Sequence, residues 1–127
     1  MPDQPYLLVV EDHHAMRRQF LQLIEAEFPR YLLRGAESGE AALLLVELGK
    51  PAAVVMDVGL PGMDGIATTR ELRRLWPTLG VIVMTMQPSP RYEAAAREAG
   101  AACFLNKSTA ADRLIPELRV LLGSGAP

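Results

Sequence analysis

Five short apolar runs alternate along the chain with longer stretches whose apolar positions recur every three or four residues. Tyr6 to Val10 is apolar throughout, as expected of a strand covered on both faces. Met16, Phe20, Leu23, Ile24 and Phe28 then follow helical spacing until Pro29 stops the helix. Tyr31 to Ala36 carries Arg34 inside it, which predicts a weaker strand at a sheet edge. Ser38 opens a second helix that runs to Gly49. Ala52 to Met56 is the third strand, and Gly59 to Gly65 is too rich in glycine and proline to be anything but a loop.

The third helix carries Ile66, Leu72 and Leu75-Trp76 and ends before Pro77. Val81 to Thr85 is the fourth strand, followed by a stiff loop at Gln87-Pro88-Ser89-Pro90. Ser89 as cap and Pro90 at the first helical position start a helix ending at Gly100. Ala102 to Leu105 is the fifth strand, and Thr109 with Asp112 predicts a capping box for a last helix through about Leu122. Alternation of this kind predicts an α/β fold: a flavodoxin-like, doubly wound parallel sheet with right-handed crossovers. The strand order 2-1-3-4-5 fits best, because it puts the weak second strand at an edge. Residues 1–122 then make one (βα)5 domain, and Gly123 to Pro127 has linker composition, either a frayed end or the approach to a further domain.

Composition narrows the class. Half of the 127 residues are apolar and 22% are charged, with a formal charge of −2, so there is no polybasic footprint for nucleic acid or an anionic membrane. Charge at Asp3 and at Glu11-Asp12 leaves no secretory apolar core after Met1, and no uncharged run approaches the ~18 residues of a membrane helix. One cysteine, Cys103, excludes an internal disulfide; within an apolar run it reads as a small buried hydrophobe. A cytoplasmic location is the expectation.

Polar residues cluster just after the strands: Glu11-Asp12, Asp57, Thr85 and Lys107. Parallel strands gather all four clusters at the carboxyl edge of the sheet, where open α/β sheets place their sites. Neighbouring strands lie ~4.8 Å apart, so Glu11, Asp12 and Asp57 fall within a few ångströms of one another. Three carboxylates at that distance need counter-charge. Lys107 supplies one, and an oxygen-only donor set suits Mg²⁺ for the rest. Such a site prepares a carboxylate to accept a phosphoryl group, with Asp57 the candidate nucleophile and Lys107 and Thr85 contacting phosphoryl oxygens. Taken alone, each residue has a blander reading: a solvated helix start for Glu11-Asp12, a turn for Asp57, an ordinary strand end for Thr85 and an exposed amine for Lys107.

Taken together, Glu11-Asp12, Asp57 with Gly59-Leu60-Pro61-Gly62-Met63-Asp64-Gly65, Thr85, Phe104 and Lys107 resemble the receiver domain of two-component response regulators, from about Tyr6 to Leu122. Gly59 to Gly65 and Gly100 to Ser108 further resemble the branch with a carboxyl-terminal helix-turn-helix of the LuxR/NarL type. The resemblance implies that a histidine kinase or phosphotransfer protein phosphorylates Asp57. It implies Mg²⁺ held by Asp12, Asp57 and the Gly59 carbonyl, with Glu11 assisting through water. It also implies a switch in which Thr85 moves toward the phosphoryl group and Phe104 turns inward, and phosphoryl lifetime tuned by Gly59, Met86 and Gln87. The chain departs from common receivers at Met86, which is large, and at Ser108, where proline is frequent.

Three other functions compete. A docking module that never takes phosphate has no use for a costly acidic cluster. A flavodoxin-type phosphate loop would be repelled by Glu11-Asp12-His13-His14, and a dedicated phosphatase lacks an evident substrate pocket. His13-His14 lacks a ligand partner at helical spacing. The second helix is unusually apolar at Leu43 to Val46 and at Leu48, which is consistent either with full coverage or with a patch for a partner or second copy.

Overall fold

A computed structural model describes residues 4–123. Five parallel strands, β1 (Tyr6–Val10), β2 (Leu32–Ala36), β3 (Ala53–Asp57), β4 (Val81–Thr85) and β5 (Cys103–Asn106), form one sheet in the order β2-β1-β3-β4-β5. The intervening helices are α1 (His14–Glu27), α2 (Gly39–Glu47), α3 (Gly65–Leu75), α4 (Pro90–Glu98) and α5 (Ala110–Leu122). This is the expected flavodoxin-like order. Apart from Gly123, the linker-like tail lies outside the described residues.

Period-two alternation divides the core into two layers. Leu7, Val9, Val55, Ile82 and Met84 face α1 and α5, meeting Phe20, Ile24, Leu114 and Leu118. Leu8, Val10, Val54, Met56, Val81 and Val83 face the other three helices, meeting Val46, Leu72 and Ala96. Strands covered on both sides are apolar along their length, and β3 and β4 are buried throughout, polar only at their last residues, Asp57 and Thr85. Each fully buried Leu or Ile stabilises the fold by roughly 1.5–3 kcal/mol. At the edge, β2 is covered on fewer sides, so Leu32, Arg34 and Gly35 are exposed.

Helix starts follow short polar side chains. The hydroxyls of Ser38 and Ser89 accept from the backbone N–H groups of Ala41 and Tyr92, and Pro90 sits in the first turn as expected. Asp64 accepts from the N–H of Ala67, and His13 caps α1 by accepting from the N–H of Met16. The expected capping box at Thr109 does not form: its side chain makes no cap bond. Instead Asn106 caps a 3₁₀ turn at Lys107–Thr109, its Oδ1 accepting from both the N–H and the hydroxyl of Ser108, and α5 grows from that turn. Among the described residues every peptide bond is trans, including the one before Ser108. The periodicity also runs straight across Pro116, which α5 accommodates on its exposed side.

Candidate functional site

β1 and β3 are neighbours paired Val10 with Met56, so the next residues, Glu11 and Asp57, meet where the two strands end. Asp12 stands beside them in the β1–α1 loop. Carboxylate oxygens of Glu11, Asp12 and Asp57 all lie within 4.8 Å of one another. Glu11 and Asp57 are buried, whereas Asp12 faces solvent. β4 and β5 end together, paired Thr85 with Asn106, and Lys107 follows at once. Its side chain, also buried, reaches back across the edge: Nζ is 2.5 Å from Glu11 Oε1 and 3.3 Å from Asp57 Oδ2.

Sequence reasoning gave Lys107 one counter-charge role, and the structure divides it between two carboxylates. The shorter contact belongs to Glu11. Burial pushes the Glu11 carboxyl up; the Lys107 ammonium and the His13 N–H, which donates to Oε2 at 3.1 Å, pull it down again, while the Asp57 charge opposes them. The net direction is upward. One ammonium against three carboxylates leaves an excess negative charge in an all-oxygen pocket, a donor set that fits a hard divalent cation such as Mg²⁺. No histidine joins this cluster among the described residues.

A cleft of about 300 Å³ opens above Asp57, lined also by Gly59, Thr85, Met86, Gln87 and Lys107. All but the acidic pair and Phe104 of the predicted site residues therefore line one opening. The hydroxyl of Thr85 accepts from the N–H of Gln87 at 3.1 Å, which leaves its own proton available for a ligand in the cleft. Asp57 Oδ1 accepts from the N–H of Gly59 at 3.3 Å. Met86 is 58% exposed and stands at the rim. Phe104 lies apart from the cleft, half-buried on the face that packs against α2, α3 and α4.

Three contributors went unnoticed in the sequence. Tyr92, in the first turn of α4, lines the cleft; the Ser89-Pro90 start locates that helix but not its rotation. Asn106 shapes the turn that presents Lys107. Arg17 reaches from α1 to donate to the Glu11 carbonyl at 2.8 Å, with its other terminal nitrogen 3.1 Å from His14 Nδ1, and so ties down the loop that carries the acidic pair. Helical spacing offers no signal for a contact that runs off the end of the helix.

The loop leaving Asp57 is pinched shut at its base, where the N–H of Gly65 donates to the carbonyl of Val58 at 3.0 Å. A Cβ at Gly65 would overlap the carbonyl oxygen of Asp57, so only glycine lets α3 start so near the aspartate. Gly62 takes φ +68° within the loop.

The description "Response regulator receiver domain" belongs to the family model that matches residues 7–119. The chain is 34% identical over 121 residues to the response regulator MprA of Mycolicibacterium vanbaalenii, covering 95% of this chain and 52% of that protein. Among solved structures it is similar to a LuxR-family two-component response regulator from Aurantimonas sp. SI85-9A1, with 30% identity, a TM-score of 0.86, and coverage of 94% of this chain and 86% of that one. It is also similar to the response regulator TrrA of Thermotoga maritima in complex with Mg²⁺ and BeF, with 27% identity, a TM-score of 0.83, and coverage of 93% and 99%. The chain spans about half the length of the curated relatives it matches. No helix among the described residues is long and apolar enough to cross a membrane. Strand order, acidic cluster and family match agree: the chain belongs to the response regulator receiver domains, which are signalling modules of two-component systems rather than conventional enzymes.

Proposed function

We propose that this chain is a phosphoacceptor, with Asp57 as the residue that takes the phosphoryl group. The observation that carries this reading is the buried triangle of Glu11, Asp57 and Lys107 at the floor of the cleft that Thr85 also lines. Membership of the family implies a histidine kinase as partner. A carboxylate oxygen of Asp57 forms the new O–P bond as the P–N bond of the donor phosphohistidine breaks, the electron pair staying on the imidazole. Lys107 pairs with one phosphoryl oxygen and the Thr85 hydroxyl donates to another. Asp12, Asp57 and the Gly59 carbonyl would hold Mg²⁺, with Glu11 acting through water; bound there, the ion neutralises charge so that a dianionic phosphoryl group can approach a carboxylate. The Mg²⁺-bound relative supports this choice of ion.

The aspartyl phosphate offers Thr85 a contact that one packing of the switch can make and the other cannot, and so shifts the population between them. The half-buried position of Phe104 suits a side chain with two rotamers to exchange. Gly59, Met86 and Gln87, around the same opening, set the lifetime of the phosphoryl group. We read residues 1–122 as the receiver and 123–127 as a linker to an effector domain, with transcription as the output, a reading the LuxR-family neighbour and the half-length match to curated relatives support.

Incubation with an acyl phosphate, or with a phosphorylated histidine kinase, in the presence of Mg²⁺ tests the central claim. A hydroxylamine-labile label of one phosphate per chain is the expected result, not formed when EDTA is present from the start and absent in Asp57→Asn. A label that survives Asp57→Asn would remove Asp57 from the role.

A further inference from the structure

A second opening lies at the other end of the sheet. A pocket of about 340 Å³ sits between the start of β1 and β2 and the end of α2, lined among others by Tyr6, Leu32, Arg34, Leu45, Leu48 and Lys50. Leu48, which caps the end of α2, is 86% exposed and Leu44, one turn earlier, is 66% exposed, so these two leucines stay open while Val46 is buried and Leu43 and Leu45 pack against the core. Two leucines this exposed, joined by Leu32 across the pocket, are more than scattered surface apolar residues require.

Two further observations say what fits. The pocket carries two cations and, among the described residues, no acid lines it. The guanidinium of Arg34 lies 5.6 Å from the centre of the Tyr6 ring and Lys50 Nζ donates to Thr78 Oγ1 at 2.8 Å, so both charges are held in place by uncharged neighbours. Beside the pocket, β2 is the last strand of the sheet. Leu32 N–H donates to Pro5 and the Ala36 carbonyl accepts from Glu11 N–H, so the even positions of β2 bond to β1. The alternate residues, Leu33 and Gly35, direct their N–H and C=O groups outward.

We propose that the outer edge of β2 and this pocket receive an extended segment of a partner protein that bears a leucine-like side chain next to a carboxylate. The segment pairs with the backbone of Leu33 and Gly35, places its apolar side chain among Leu32, Leu45 and Leu48, and sets its carboxylate against Arg34 and Lys50. The pocket lies at the end of the strands opposite to the cleft above Asp57.

The probe is a library of random dodecapeptides displayed on phage and panned on the wild-type chain. Enriched sequences should combine Asp or Glu with Leu, Ile or Phe. Synthetic versions should lose at least tenfold in affinity with Leu48→Asp and with Arg34→Glu, while Asp57→Asn leaves binding unchanged. Gly35→Pro removes one outward N–H at the strand edge, but its Cβ also presses on the Arg17 and Leu21 side chains; the proline variant should weaken the same peptides, whereas Gly35→Ala, which adds the same Cβ and keeps the N–H, should not, both with native circular dichroism. No enrichment, or peptides indifferent to Leu48→Asp and Arg34→Glu, would overturn the site. Binding that depends on the pocket but ignores Gly35→Pro would overturn the strand pairing.

Discussion

The ammonium of Lys107 is nearer to Glu11 than to Asp57, 2.5 Å against 3.3 Å. The residue proposed to receive a phosphoryl oxygen is therefore already engaged, mostly by a carboxylate that is not the proposed phosphoacceptor. On the proposed reading, a phosphoryl group on Asp57 would compete with Glu11 for that ammonium, and release of Glu11 would be part of the change in charge at the sheet edge.

Lys107→Ala is expected to destabilise the fold by about 3 kcal/mol, since removing one partner of a buried pair leaves the other charge uncompensated. Urea denaturation measures it. Added Mg²⁺ should recover part of the loss in this variant, because the cation binds the folded cluster and not the unfolded chain.

Glu11 sets a pH dependence. Its carboxyl is held above the ordinary value of 4.5, chiefly by burial, so on acidification it takes up a proton before an exposed carboxylate would. The stability this group contributes without metal is fully present below 4.5 and is lost as pH rises through the raised value. Mg²⁺ has the opposite preference, since it needs the ionised form. Titration calorimetry should show Mg²⁺ affinity falling, with proton release on binding, as pH drops into the Glu11 range, and Glu11→Gln should flatten that limb.

Two glycines separate fit from flexibility. Gly65→Ala places a methyl group on the Asp57 carbonyl oxygen and should cost about 3 kcal/mol in denaturant melts, with a visible loss of phosphorylation rate. Gly49→Ala meets no atom within 4 Å and has no positive φ, so it should be neutral or stabilising by up to about 1 kcal/mol.

Cys103 should be slow to alkylate at neutral pH. Burial and then the Glu117 carboxylate push its thiol up to about 11, so little thiolate exists near pH 7. The iodoacetamide rate should climb until about pH 11, and Glu117→Gln should shift that rise to lower pH.

Much of this molecule is legible along the chain because its strands are buried on both faces. Val54-Val55-Met56 and Val81-Ile82-Val83 can be apolar without interruption only in a central strand, and that settles both the sheet and which residues stand at its ends. Asp57 and Thr85 follow from those strand ends, and the neighbouring positions of Glu11 and Asp57 follow from the strand order. What stays hidden is reach and rotation. The extension of Lys107 past Asp57 to Glu11, the bond from Arg17 to the Glu11 carbonyl and the turn of Tyr92 into the cleft depend on side-chain paths that no spacing encodes. The start of α5 was misread for a related reason: Thr109 and Asp112 have the spacing of a capping box, but Asn106 binds Ser108 first and takes the chain through a 3₁₀ turn. Exposure of α2 was undecidable from composition, since a helix rich in leucine reads the same whether it is covered or open.

The pinch between Gly65 and Val58 has a practical meaning for anyone building on this domain. Because the segment from Gly59 to Asp64 leaves and returns beside that bond, its exposed tip at Pro61 is a graft point. Residues inserted beside Pro61, such as a fluorophore-bearing tag, should lengthen a closed loop while Met63 keeps its bond to Glu40 and Asp64 its cap on α3. A reporter placed there would ride beside Asp57 while the sheet that positions the acidic cluster keeps its register.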